Sequence, residues 1–258
     1  MTVIIGEEKV SLVHSSGSSA EVYFFGATVT SWKCGGKERS KLDGTKAIRG
    51  GIPLGNINAH SLFVKLIKAS DPSAETANLP QHGIVRVSTW KWSGTDADND
   101  EVTVRFKLTD SEVPENLHEK WPKKFELIFI VTLTANTLKN TFQVTNQGTE
   151  PFTFNALLHT YYSVPDISKV SIKGLNDITY IDKVANFARV PDVKDSITID
   201  RETDRIYENV LRDEFLIDLG QPGGYKNMVC VEPGTVTEYV TLEAGKSWEC
   251  GQILKVQL

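Results

Sequence analysis

His159 lies in the stretch Leu-Leu-His-Thr-Tyr-Tyr-Ser-Val, residues 157–164, where an imidazole could give or take a proton near neutral pH. If residues 151–164 alternate as a strand, His159 shares a face with Asn155 and Tyr161. A half-polar, aromatic face of this kind is typical of the lining of a ligand site. A structural histidine on a solvated sheet face fits the same residues, and this stretch alone favours that interpretation.

Glu232 is the second candidate, because it closes the apolar segment Met-Val-Cys-Val and precedes Pro233 and Gly234. A carboxylate beside apolar residues is expected to be partly desolvated, and desolvation makes it a better proton acceptor near neutral pH. A glutamate that points into water at the end of a strand is the alternative. The residues alone do not decide between the two.

Three further segments carry polar residues that could bind a ligand. In 47–53 an arginine precedes two glycines, and a planar guanidinium beside flexible backbone matches the oxygens of a phosphate. In 79–86 polar residues surround Gly83, which lets the backbone turn or approach a ligand closely. Polar surface loops would have the same composition, and the charged segment 200–210 is solvated by default. The candidate residues in these segments are Arg49, Gln81, His82, Arg86 and Asp204.

A period of two runs through most of the chain and predicts strands. Turn-forming residues separate these segments, and the best helical candidate, 111–119, is predicted to be a loop with one helical turn. Many strands at regular spacing predict one large all-β domain over residues 1–258, a β-sandwich or a closed barrel. The predicted strands are 21–32, 101–108, 125–134, 140–147, 151–164, 169–175, 195–200, 227–234 and 247–258.

Composition excludes several classes of protein. The net charge of −5, with no basic stripe, argues against binding to nucleic acid or to an anionic membrane. No apolar run approaches the ~20 residues of a membrane helix, and no secretory signal is visible at the N-terminus. The three cysteines form no Cys-x-x-Cys pair, so neither a zinc site nor a disulfide framework is expected. Such cysteine usage suits a reducing compartment, and we expect a cytoplasmic location.

Six segments occur in an order typical of one family. The chain resembles glucose-6-phosphate 1-epimerases, which are hexose-6-phosphate mutarotases of the aldose 1-epimerase group, from about Glu21 to Gln252. The resemblance implies an all-β fold, the large twisted antiparallel β-sandwich called the galactose mutarotase-like supersandwich. The segments are "GATVTSWK", "KLDGTKAIRGGIPL", "LPQHGIVRVSTW", "LLHTYYSV", "RETDRIYENV" and "MVCVEPG".

The resemblance also implies a catalytic pair. His159 in "LHTYY" matches the family's general acid, and Glu232 in "CVEPG" matches its general base. In mutarotation a base takes the proton of the C1 hydroxyl, an acid protonates the ring oxygen, and the open aldehyde turns and recloses. This chemistry requires no metal or redox cofactor. We expect His159 and Glu232 to face each other across a cleft about one sugar ring wide.

The remaining candidates match binding positions of the family. Arg49, Gln81 and Arg86 match substrate-binding residues, and the two arginines are suited to the 6-phosphate of a hexose 6-phosphate. His82 matches a sugar-contacting histidine, and Asp204 matches a carboxylate that binds sugar hydroxyls. The expected partner is therefore a small-molecule hexose 6-phosphate, with no nucleic acid and no membrane, and the expected state is a monomer.

Two segments depart from the family pattern. After Leu54 the family continues with Val-Phe-Pro-x-Phe-Gly, whereas residues 55–67 read "GNINAHSLFVKLI", and a Trp-Asn-Pro-Trp segment is missing before Lys226. A shortened domain would expose a strand edge and open one wall of the pocket. A divergent enzyme, an inactive paralogue and an incomplete gene product all fit, and the joint presence of the catalytic candidates and both arginines favours the last.

Two rival functions follow. A sugar-phosphate-binding protein without catalytic activity would use the same fold. A glycoside hydrolase is less favoured, because it needs two carboxylates that flank the scissile bond, whereas the match supplies a histidine and a glutamate.

Overall fold

Strands dominate the computed structural model, which describes residues 1–39, 42–43, 49–50, 54–55, 79, 83–98, 100–212, 214–218 and 228–257. Within these residues the α-helical structure is a single turn, α1 (Glu115–His118), so both the all-β prediction and the prediction for 111–119 are confirmed. None of the helices in this part of the chain is long and apolar enough to cross a membrane. Short 3₁₀ turns occur at Val85–Val87, Asp110–Glu112 and Ile167–Lys169.

The strands follow in chain order. They are β1 (Thr2–Ile5), β2 (Lys9–Val13), β3 (Ser19–Tyr23), β4 (Val29–Cys34), β5 (Lys37–Glu38), β6 (Leu42–Asp43), β7 (Arg49–Gly50), β8 (Leu54–Gly55), β9 (Lys91–Ala97), β10 (Val102–Thr109), β11 (Phe125–Leu133), β12 (Thr137–Asn146), β13 (Phe152–Leu158), β14 (Thr160–Ser163), β15 (Ser171–Lys173), β16 (Thr179–Asp182), β17 (Ala188–Pro191), β18 (Ser196–Thr198), β19 (Arg205–Tyr207), β20 (Leu216–Asp218), β21 (Met228–Val231), β22 (Gly234–Leu242) and β23 (Ser247–Lys255).

Two of the predicted strands are each divided in the structure. Segment 21–32 forms parts of β3 and β4, because Gly26 and Ala27 have positive φ angles of 70° and 45° and turn the chain between them. Segment 151–164 forms β13 and β14, which are separated at His159. Alternation of apolar and polar residues predicts extended backbone but does not report such interruptions.

The chain divides into two compact units. The first contains Met1–Tyr161 and Cys230–Leu258, and the second contains Tyr162–Val229. The description of residues 1–258 as one domain stays a prediction.

Antiparallel sheets of five strands form the bulk of the first unit. One has the order β1-β2-β3-β4-β5 and the other the order β23-β12-β11-β10-β9. Alternation in β10 and β11 sends Phe106 and Phe129 into the core, where the two residues lie opposite each other in the ladder. Burial of one such side chain contributes about 1.5–3 kcal/mol, so packing in this core stabilises the first unit.

A three-stranded sheet with the order β22-β13-β8 completes the first unit on the side that concerns function. β13 is central, and its side chains are buried on both faces over most of its length, from Phe154 to Leu158. This burial explains why Ala156, Leu157 and Leu158 are apolar in succession, since a strand covered on both faces does not alternate.

The second unit contains two three-stranded sheets, β18-β15-β20 and β17-β16-β19. Its core includes a polar cluster in which the Tyr207 hydroxyl donates a 2.6 Å hydrogen bond to the buried Asp192 carboxylate. The Arg205 guanidinium lies 3.6 Å from the same carboxylate and 4.3 Å from the centre of the Tyr180 ring. A buried carboxylate requires such partners, so the cluster stabilises the unit.

Candidate active site

His159 occupies the break between β13, which ends at Leu158, and β14, which begins at Thr160. Its side chain is 12% exposed, so the imidazole is largely enclosed but still reaches the surface. The prediction of a histidine on a solvated sheet face, which the sequence stretch alone favoured, is therefore wrong.

Strand register determines the partner of His159. Leu157 pairs with Gly234 in the antiparallel ladder of β13 and β22, and the Leu158 N–H donates a 2.9 Å hydrogen bond to the Pro233 carbonyl. Continuing this register by one more residue places His159 opposite Glu232. The Nε2 atom of His159 lies 3.1 Å from Oε1 of Glu232, whose side chain is 16% exposed.

Gly234 is required for this pairing. A Cβ atom at this position would lie 2.4 Å from the Ala156 carbonyl oxygen and 2.5 Å from the Leu157 Cβ, which is closer than packed atoms approach. The absence of a side chain thus allows β22 to approach β13 directly beside the His159–Glu232 pair.

A bulge in β22 follows the pairing. Phe154 pairs with Val240 whereas Ala156 pairs with Thr235, so residues 236–239 face the single residue Asn155. The buried Asn155 amide Nδ2 donates to the carbonyls of Thr235 and Glu238, at 2.9 and 2.7 Å. These hydrogen bonds hold the bulge in place and leave the register at the Glu232 end undisturbed.

Tyr161 packs against the imidazole. The two rings are stacked, with centroids 4.4 Å apart and planes at 9°, and the Tyr161 hydroxyl lies 3.3 Å from His159 Nε2. The sequence pattern had placed Tyr161 on the same strand face as His159 without giving it a function. In the structure it restricts the rotation of the imidazole, because one face of the ring is covered.

Cys230 is the residue that sequence reasoning missed. One ligand-type atom from each of His159, Cys230 and Glu232 lies within 4.8 Å of the other two. Cys230 is exposed as a residue, yet protein surrounds its thiol, and this desolvation raises the pKa of Cys230 to about 12, with the negative charge of Glu232 adding to the effect. Residues two apart on a strand share a face, so the spacing of Cys230 and Glu232 was the available signal.

Arg86 lies in the 3₁₀ turn Val85–Val87 and is only 6% exposed, which excludes the alternative of an exposed surface arginine. Gly26 packs on this turn, where a Cβ would lie 2.7 Å from the Arg86 carbonyl oxygen. The Trp90 indole donates a 3.0 Å hydrogen bond to the Val85 carbonyl. β8 lies beside the turn and pairs with β13, so both Arg86 and His159 are positioned by the same group of elements.

Asp204 belongs to the second unit, where it forms an ion pair with Lys183. The Lys183 side chain is 5% exposed, and its backbone N–H donates a 3.0 Å hydrogen bond to the Asp204 carbonyl. Asp204 is therefore not the freely solvated carboxylate that its charged segment suggested. Its role in binding sugar hydroxyls stays a prediction.

Three predicted binding residues and both departures from the family pattern fall wholly or partly outside the described residues. Arg49 begins β7, which pairs with β6 opposite Asp43, but its side chain is not described. Gln81 and His82 lie outside the described residues, as do 56–67 and 219–227.

His159 and Glu232, the acid and base candidates, are in contact. The prediction that a cleft one sugar ring wide separates them is therefore wrong. The chemistry explains why contact is compatible with mutarotation. The C1 hydroxyl oxygen and the ring oxygen are both bonded to C1, so the groups that exchange protons with them can lie close to each other. An imidazole and a carboxylate 3.1 Å apart can serve two such oxygens at one carbon.

The fold is that of galactose mutarotase-like proteins. The structure superposes on a "putative mutarotase (YeaD)" from Salmonella typhimurium with a TM-score of 0.76 and 23% identity, covering 97% of this chain and 91% of that one. It superposes on a galactose 1-epimerase from Lactobacillus acidophilus NCFM with a TM-score of 0.71 and 13% identity, covering 99% of each chain. At these identities the comparison concerns the fold, and it confirms the predicted galactose mutarotase-like architecture.

The sequence profile of aldose 1-epimerases matches residues 8–221, and the chain belongs to the aldose 1-epimerase family. Two relatives are each named "putative glucose-6-phosphate 1-epimerase". The relative from Cenchrus ciliaris is 28% identical, over 94% of this chain and 83% of its own length. The relative from Escherichia coli (strain K12) is 31% identical, over 90% of this chain and 84% of its own. The protein is thus an epimerase that interconverts sugar anomers.

Proposed function

We propose that the substrates are glucose 6-phosphate and related hexose 6-phosphates, and that Glu232 and His159 are the base and the acid. The contact between His159 Nε2 and Glu232 Oε1 is the observation that supports this proposal most directly. The names of the two relatives support the choice of glucose 6-phosphate.

Ring opening begins when the Glu232 carboxylate takes the proton of the C1 hydroxyl. The electron pair of that O–H bond forms the C1 carbonyl, the bond between C1 and the ring oxygen breaks, and His159 Nε2–H protonates the ring oxygen. Rotation about the C1–C2 bond then presents the other face of the aldehyde. Ring closure reverses both proton transfers and restores Glu232 and His159 to their starting forms.

Local structure supports these assignments. Both side chains are mostly enclosed, and in such surroundings charges interact more strongly than in bulk water. The stacked Tyr161 ring restricts the orientation of the imidazole, whose Nε2 lies 3.1 Å from Glu232 Oε1. One acid and one base in position typically contribute about 10²–10⁴-fold each.

The phosphate is assigned to the arginines. Arg86 is buried in its 3₁₀ turn, and a guanidinium in such a place can bind a phosphate bidentately at little additional entropic cost. By the resemblance, Arg49 shares this role, Gln81 and His82 contact the sugar, and Asp204 binds its hydroxyls. His159 and Glu232 come from one chain, so a second copy is not needed to complete the pair, which supports a monomer. Free thiols at all three cysteines support a cytoplasmic location.

Exchange between the anomers tests the proposal directly. Saturation-transfer NMR on the anomeric protons of glucose 6-phosphate, with purified protein, should show exchange well above the buffer rate. Exchange with glucose should be slower at equal concentration. Binding of the sugar phosphate without exchange would support the non-catalytic alternative and overturn the proposal.

A further inference from the structure

The three atoms contributed by His159, Cys230 and Glu232 are a ligand set for a transition metal. Cys230 lies in β21, Glu232 directly follows the end of that strand, and His159 lies in the break between β13 and β14. Two side chains from the segment 230–232 and one from the break between β13 and β14 therefore converge on the same space, with all three ligand atoms within 4.8 Å of one another.

The spacing fits a tetrahedral ion. Bonds of about 2.0–2.3 Å at tetrahedral angles place neighbouring ligand atoms about 3.3–3.7 Å apart. The separation of 3.1 Å between His159 Nε2 and Glu232 Oε1 is close to this range, and small side-chain rotations suffice for the thiol. Backbone pairing fixes the positions from which these side chains start, so little order must be created on binding.

The chemistry of the three ligands selects the ion. A thiolate, an imidazole and a carboxylate suit Zn²⁺, whereas Mg²⁺ and Ca²⁺ prefer oxygen ligands alone. Cys230 is exposed as a residue, so the site lies near solvent, and a fourth coordination position would remain for water or a sugar oxygen.

We propose that Zn²⁺ binds reversibly to His159, Cys230 and Glu232 and inhibits the enzyme. On binding, the Cys230 thiol and the Nε2–H group of His159 each release a proton to solvent, and the thiolate sulfur, the Nε2 atom and the Glu232 carboxylate each donate an electron pair to the ion. Inhibition follows because the metal occupies the nitrogen and the oxygen that exchange protons with the sugar. The inhibitory part of this inference rests on the proposed function of His159 and Glu232, whereas the binding part does not.

Binding is tested without activity. Chelator-treated protein is titrated with Co²⁺, which reports a thiolate ligand through a sulfur-to-cobalt charge-transfer absorption, and the bound cobalt is then displaced with Zn²⁺. The expected result is one equivalent of cobalt with a thiolate band that is lost in both Cys230→Ser and Cys230→Ala. Cys250→Ser is the matched control and should keep the band, because Cys250 lies in β23 outside the cluster. Absence of the band from the unaltered protein, or its persistence in both Cys230 variants, would overturn the proposed site.

Inhibition is tested on the same samples. Zn²⁺ should reduce the anomer exchange rate, and a chelator should restore it. Each exchange rate is divided by the metal-free rate of the same variant. The Zn²⁺ concentration that gives half-inhibition should then be at least about tenfold higher for Cys230→Ser than for the unaltered protein, because one ligand is lost. Cobalt binding without any metal-free exchange would contradict the proposed function and leave the metal site standing. Full exchange in the presence of saturating, bound Zn²⁺ would instead contradict the inhibitory role.

Discussion

His159 and Glu232 are cross-strand neighbours, and Nε2 lies 3.1 Å from Oε1 because the register of β13 with β22 continues past Gly234 to both residues. The proximity of the acid and the base is therefore a property of backbone pairing. A sugar does not have to bring the two groups together.

Replacement of the base tests its catalytic role with little change in shape. Glu232→Gln keeps the size of the side chain but removes its ability to accept a proton, and we expect the exchange rate to fall by about 10²–10⁴-fold. The Tm should change little, because the part-exposed amide can still pair with the imidazole. Glu238→Gln, an exposed glutamate of β22, is the control. A small loss of rate with a large loss of Tm would indicate a structural role for Glu232.

Replacement of Gly234 tests the register. The Cβ of Gly234→Ala would meet the Ala156 carbonyl and the Leu157 side chain, so we expect a loss of about 1–3 kcal/mol in the free energy of unfolding. Activity should also fall, because the strand that carries Glu232 must move. In Gly6→Ala the new Cβ would lie 3.3 Å from the Lys9 carbonyl oxygen, and the loss in denaturant unfolding should be much smaller. Equal stability of the two variants would show that the close approach at Gly234 is unimportant.

Removal of the Tyr161 ring tests whether stacking positions the imidazole. Tyr161→Leu should lower the exchange rate strongly, whereas Tyr161→Phe keeps the stacked ring and should recover most of it. Because the hydroxyl lies 3.3 Å from Nε2, Tyr161→Phe should also shift the pH–rate profile. Profiles that superimpose for the unaltered protein and Tyr161→Phe would exclude an influence of the hydroxyl on proton transfer.

Substrate discrimination tests the buried arginine. Arg86→Lys keeps the charge but loses the planar fork, and we expect KM for glucose 6-phosphate to rise about tenfold while the rate with glucose hardly changes. Arg189→Lys, an exposed arginine of the second unit, is the control. Equal losses for the two sugars would refute the assignment of Arg86 to the phosphate.

Alkylation of Cys230 provides a test of pH dependence. Its pKa is raised to about 12, so the reactive thiolate is scarce at neutral pH although the side chain is exposed. The alkylation rate should rise about tenfold per pH unit up to pH ~10, whereas an ordinary thiol with a pKa near 8.5 levels off. Peptide mapping by mass spectrometry separates Cys230 from Cys250. A rate at Cys230 that levels off near pH 9 would contradict the raised pKa.

Local alternation was sufficient to predict much of the fold. The segments 101–108 and 125–134 correspond closely to β10 and β11, because each strand has one face in the core and the sequence reports which residues are buried. β22 was missed because its only predicted portion ended at Gly234, where the strand begins. A glycine that permits close approach of two strands resembles, in sequence, a glycine that ends one.

The site was predicted less completely. The residue types of His159 and Glu232 were recognised, but their contact depends on a pairing between distant segments that no local pattern encodes. The same pairing brings Cys230 beside them, which explains why an inventory of cysteine and histidine spacing revealed no ligand cluster. The Tyr161 stack, by contrast, follows from proximity along the chain.

The bulge at residues 236–239 separates two stretches of the same ladder, each with its own register. A gain or loss of a residue within the bulge alters how far β22 loops out opposite Asn155, but the pairing from Thr235 back to the acid and base need not slip. Inherited changes of length can thus accumulate at this point without altering the chemistry. The bulge therefore separates changes in the length of β22 from the positions of His159 and Glu232, whose proton-transfer geometry stays constant.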